Sequence, residues 1–172
     1  MKTLALFLVM TFAAPLLSFA DDQLSLSITT NGMYGLPGYF VPGSTLVVSV
    51  SVENPGLPGV VVDFYFGALS CDGDPVVFFT DLLSFARGVG SLANPATLRP
   101  IVARVDLSNH FTFSQPTFFS YTWTGYEGVG SCEWWRLFVA AVKSGAPFNP
   151  SIDPGDILAL STALVSFDPW GY

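Results

Sequence analysis

Charge is scarce in this chain. Six lysines and arginines and thirteen aspartates and glutamates make up 11% of 172 residues, where soluble domains average about 25%. With so few cations and a net charge of −7, nucleic-acid binding is excluded, because it needs a basic footprint against the phosphates. Attraction to an anionic membrane surface is excluded on the same ground. One histidine and two cysteines exclude zinc fingers, His-rich metal centres and iron–sulfur cages built within one chain. Cys-x-x-Cys, Gly-x-Ser-x-Gly and the EF-hand spacing are all missing, so dithiol redox chemistry, the hydrolase elbow and EF-hand calcium binding lack their motifs. Helical periodicity is missing as well. No long stretch after residue 20 repeats its apolar residues every 3.6 positions, and no internal repeat occurs.

What is present is apolar surface, with 51% hydrophobic and 15% aromatic residues punctuated by 16 glycines and 13 prolines. Such a composition excludes disorder, which belongs to hydrophilic, charge-rich chains. The first residues read as an address. Met1-Lys2-Thr3 is a short basic start, Leu4 to Leu17 is an apolar run, and Ser18-Phe19-Ala20 places small residues before Asp21-Asp22. That is the layout of a secretory signal peptide spanning 1–20. As a membrane anchor the run is too short, and Pro15 interrupts it. The expectation is cleavage after Ala20, a secreted or periplasmic product, and one domain over 21–172 without a membrane span.

Strand patterns fill that domain. Leu24, Leu26 and Ile28 alternate with serines and a threonine, and Leu46, Val48, Val50 and Val52 share another face. Asn31 to Ser44 reads as a long loop. Val60 to Leu69 is apolar almost throughout, as expected of a central strand covered on both faces. The turn Cys71-Asp72-Gly73-Asp74-Pro75 leads to Val76–Thr80 and predicts a hairpin. Asp81 to Pro100 reads as a long connection in which Leu82 to Arg87 forms at most one helical turn. Strands follow over Ile101–Leu107, from Thr117 to Trp123, over Cys132–Val142 and over Ile157–Phe167. Seven to nine strands with Gly- and Pro-rich connections predict an all-β, antiparallel, immunoglobulin-like β-sandwich.

Two stretches strengthen that expectation: Val62-Asp63-Phe64-Tyr65-Phe66-Gly67 before an Asp-Gly turn, and Tyr121-Thr122-Trp123 leading through Glu127 and Gly130 to Trp134-Trp135. Here the chain resembles the bacterial immunoglobulin-like or fibronectin-III-like modules of secreted proteins, over most of residues 23 to 168. The antibody hallmarks are missing, since neither cysteine falls in the second strand and Gly130, not tyrosine, stands two residues before Cys132. The resemblance implies a fold and carries no binding site. It also implies that the strand ending at Cys71 lies antiparallel beside the strand beginning at Cys132. A Cys71–Cys132 disulfide is therefore expected, in keeping with an oxidising compartment.

Candidate chemistry is thin. His110 is the only histidine, so any Ser-His-Asp set must pass through it, yet Asn109 and Phe111-Thr112-Phe113 around it suggest a loop residue. The carboxylate pairs Asp72/Asp74, Asp153/Asp156 and Glu127/Glu133 could serve glycoside hydrolysis only if they faced each other across a cleft. The first two sit in ordinary turn sequences, with calcium binding through their oxygens as the alternative use. Catalytic residues, metal ligands and cofactors are all expected to be none. The aromatics carry the functional hint. Trp134 and Trp135 are consecutive and must point to opposite sheet faces; neither face is clearly polar, so the pattern leaves open which one is inside, and Trp135 is the first choice for the outer one. Together with Trp123 and Tyr126 it forms the expected ligand-binding set. High apolarity favours instead the reading that both faces are covered, by a loop or another subunit. The expected function is a non-enzymatic binding or assembly module for a protein or glycan, able to form oligomers; the alternative is a carbohydrate-binding module with an exposed aromatic platform.

Overall fold

The computed structural model describes residues 24–31, 38–56, 58–71, 75–124, 134–149 and 154–167. The segment 1–20 lies outside them, as do Cys132, Tyr126, Asp72, Asp74, Glu127, Glu133 and Asp153. In chain order the strands are β1 (Ser25–Thr30), β2 (Gly38–Phe40), β3 (Thr45–Asn54), β4 (Val60–Ser70), β5 (Val76–Phe79), β6 (Arg87–Gly90), β7 (Val102–Leu107), β8 (Phe111–Thr122), β9 (Trp134–Lys143) and β10 (Ile157–Phe167). Two single 3-10 turns, Pro95–Thr97 and Pro154–Asp156, are the other regular elements described.

The strands form two sheets. One has the order β1-β3-β8; the other runs β2-β10-β9-β4-β5-β6, with β7 also paired to β4. Every pair is antiparallel except β2–β10. With β1, β3 and β8 against β10, β9 and β4, the order is that of the immunoglobulin sandwich, and the expected all-β antiparallel fold is what the chain forms. One strand departs from that order. β7 stands where the fourth strand would join β8, but it pairs with β4 instead. β8 is therefore an edge of its sheet.

Alternation in the sequence explains the core. Leu46, Val48, Val50 and Val52 of β3 are all buried against Val62 and Phe66 of β4 and Leu137, Val139 and Ala141 of β9. β4 and β9 pair over nine residues, from Val62↔Lys143 to Ser70↔Trp135. Both are covered on their outer faces too. Tyr65, Phe138, Ala140 and Val142 pack there with Val76, Phe78, Leu98 and Phe148, and Phe138 stacks on Phe148 at 5.2 Å. Gly67 makes the tight crossing possible, since a Cβ there would collide with the Val77 carbonyl and the Phe138 ring.

Three local features depart from the sequence reading. The loop predicted over 31–44 contains β2, whose Phe40 is buried beside β10. The connection predicted over Asp81–Pro100 holds the expected single turn, closed from the Phe85 N–H to the Asp81 carbonyl at 2.9 Å, but it also contains a strand, β6, that begins at Arg87. Asp81 drives that turn, its Oδ1 accepting the N–H groups of Leu83 and Ser84. Finally, β8 begins at Phe111, earlier than predicted, and contains a bulge. Between Val48↔Phe119 and Val50↔Gln115 the register slips, so Ser49 faces Pro116, Thr117 and Phe118. The Ser49 hydroxyl donates to the Pro116 carbonyl at 2.6 Å.

Candidate functional site

The two sheets are laced together along one side, where the Ile28 N–H of β1 donates to the Ser161 hydroxyl of β10 at 3.1 Å. On the opposite side, among the described residues, β8 has no strand on its outer edge. Two apolar clefts enter the sandwich around this seam. The first holds about 150 Å³ between Leu46, Ala68, Val77, Phe79, Arg87, Phe119, Tyr121, Trp123, Trp135, Leu137 and Val165. The second holds about 160 Å³ and has no polar lining residue; Phe64, Phe66, Ile101, Val105, Phe111 and Phe113 are among its walls. Between them lies an aromatic cluster. Phe66 stacks on Phe79 at 5.0 Å, and Phe85 reaches in from the turn after β5 to meet Phe79, Phe118 and Phe119.

The first cleft is where expected site residues meet. Trp123 follows β8 and Trp135 belongs to β9, so opposite sheets supply them. Trp123 is 8% exposed, stacked on Phe167 at 4.5 Å and edge-on to Tyr121 at 5.3 Å. Its indole N–H is buried and has no acceptor among the described residues. At the mouth, the Arg87 guanidinium lies over the Tyr121 ring, 5.1 Å from its centre, a cation–π arrangement.

This corrects the expected platform. Trp135 does not face outward; it is half-buried against the inter-sheet core, on the side of Leu137, Val139 and Ala141. Trp134 is the exposed member of the pair, at 38%. The reason lies in the neighbours. Both faces of β9 are apolar, and only the outer one runs out of cover at the strand's first residue, so the exposed indole follows the cover and not the pattern. Trp123 is likewise a wall and not a surface. Tyr126 lies outside the described residues. Sequence reasoning missed Arg87 and Tyr121; a cation next to a Gly-rich segment gives no sign that it will reach an aromatic ring on another sheet.

Several of the described titratable groups do structural tasks. Asp63 is 7% exposed and accepts the backbone N–H of Arg104 at 2.7 Å and of Gly145 at 3.1 Å. Burial alone would raise its pKa, but these donors and the Ser144 hydroxyl outweigh that and hold it below the ordinary 3.8. Asp81 is held low mainly by the Ser84 N–H and hydroxyl. Asp156 pairs with Lys143 at 3.0 Å. His110 sits exposed in the turn between β7 and β8 with φ 60°. Among the described residues no three His, Cys, Asp or Glu side chains gather where a metal could be held, and no described helix is long and apolar enough to cross a membrane.

No protein family matches the chain. Comparison with curated protein sequences finds no match either. Among solved structures the chain is similar to a CARDB domain from Pyrococcus furiosus, described as a complex with di-metal ions. The two are 15% identical with a TM-score of 0.41, over 85% of this chain and 88% of that one. At that distance the likeness transfers neither site nor ligand.

Proposed function

We propose that the chain is an exported, non-enzymatic binding or assembly module that engages its target through the cleft between Trp123 and Trp135. The observation that carries this is the cleft itself: aromatic and aliphatic side chains from both sheets leave an apolar recess beside an edge strand, open among the described residues. Recesses of this kind are the default binding sites of a fold. Three of the described carboxylates support a non-catalytic reading, because Asp63, Asp81 and Asp156 are each engaged in turns, backbone bonds or an ion pair.

Export and the Cys71–Cys132 disulfide belong to the same proposal. The register Ser70↔Trp135 brings Cys71 to the end of β4 that lies beside the start of β9, and Cys132 stands two residues before Trp134. No described cysteine is free.

Benzene titration tests the cleft. It is expected to shift the indole N–H resonances of Trp123 and Trp135 in the exported protein and to lose that effect in Ala68→Leu, which narrows the recess. Absence of any shift would overturn the reading. A second reading, carbohydrate binding, is favoured by the exposed Trp134 alone. It predicts glycan-array signals that vanish in Trp134→Ala and persist in Ala68→Leu.

A further inference from the structure

We propose that the first cleft is a site for a small amphiphilic carboxylate, with a benzene-sized apolar body inside and its carboxylate at Arg87. This rests on the cleft reading above and names its ligand. Size sets the body: about 150 Å³ is the volume at which an apolar cavity accepts benzene. The lining sets its character. Apart from Arg87, Tyr121, Trp123 and Trp135, every lining side chain is a hydrocarbon, so the hydroxyls of a sugar would enter largely without partners, at a cost in desolvation.

Charge sets the other end of the ligand. Arg87 is one of six cations in a chain with thirteen acidic residues, yet no carboxylate pairs with it among the described residues; its guanidinium rests on the Tyr121 ring. A cation at the rim of an apolar recess with its planar fork unengaged suits a carboxylate, which it can bind through two parallel hydrogen bonds.

The test compares 3-phenylpropionate with its uncharged counterpart 3-phenylpropan-1-ol. Each is titrated into the full exported protein while the Trp123 and Trp135 indole resonances are followed. The acid is expected to bind at least tenfold more tightly than the alcohol. Arg87→Gln should bring the acid down to the alcohol's level, and Arg87→Lys should retain part of the preference. β3 amide resonances unchanged from the parent protein confirm that each variant is folded. Equal affinities for acid and alcohol, or full acid affinity in folded Arg87→Gln, would overturn the proposal while leaving the cleft reading intact. If neither compound shifts an indole signal, both fall.

Discussion

Asp63 is the residue whose role is furthest from its appearance in the sequence. In Val62-Asp63-Phe64 it looks like a polar lapse in an apolar strand, because its partners are backbone groups 41 and 82 residues away. It holds the irregularity where Val62↔Val105 is followed by Phe64↔Val102, and with it Arg104 at φ 59°. Asp63→Ala is expected to cost about 1–3 kcal/mol for each buried N–H left unpaired, measured by urea denaturation. Its native pKa is lowered, so the carboxylate's contribution is present above the unfolded value of 3.8 and is lost as pH falls through the native value. Acid titration of parent and Asp63→Asn should therefore differ in slope below that pH, and coincident curves would contradict the assignment. Other residues were legible from the start. Leu46, Val48, Val50 and Val52 alternate, and all four are buried.

At the level of elements, β9 marks the boundary of what a pattern can say. Alternation requires Trp134 and Trp135 to face opposite ways, but an element apolar on both sides does not reveal which side meets the other sheet. The answer depends on Leu98 and Phe148, whose segments fold back over the outer face, and no local periodicity announces that. The strand covered on both faces, β4, was legible for the opposite reason: its run is too apolar to leave either side in water. Phe148→Ala should expose Phe138 and Tyr65 and lower stability by about 3–5 kcal/mol. Trp134→Ala should leave stability within about 0.5 kcal/mol, as an exposed substitution does, while Trp135→Ala should cost about 2 kcal/mol or more because that ring is half within the core. Thermal melts of the three variants give the comparison. If Trp134→Ala proved the more damaging of the tryptophan pair, the outward assignment would be wrong.

Taken whole, the molecule was legible in class and largely in strand order, because local alternation and turn residues dictate both. The clefts were not. They arise from β7 joining β4 instead of β8, a choice between two edges that no short stretch encodes. Export is checked by intact mass: the mature chain should begin at Asp21, and recovery of protein retaining residues 1–20 would count against it. In that product, thiol labelling under denaturing, non-reducing conditions should find neither Cys71 nor Cys132 reactive. A bond between them closes a loop of about 60 residues and contributes on the order of 4 kcal/mol in the chain-entropy model.

The bulge at Pro116 has a meaning for molecules in company. Among the described residues β8 exposes a free edge twelve residues long, and an unbroken edge of that length is a template on which neighbouring copies can stack into fibrils. Proline offers no N–H to an incoming strand, and the slip beside it breaks the register such a strand would need. Neither half is then long enough to recruit another chain easily. Pro116→Val restores a donor at the centre of the edge. Concentrated solutions of that variant are expected to scatter light and bind thioflavin T sooner than the parent protein; equal lag times would show that the edge is guarded by something else.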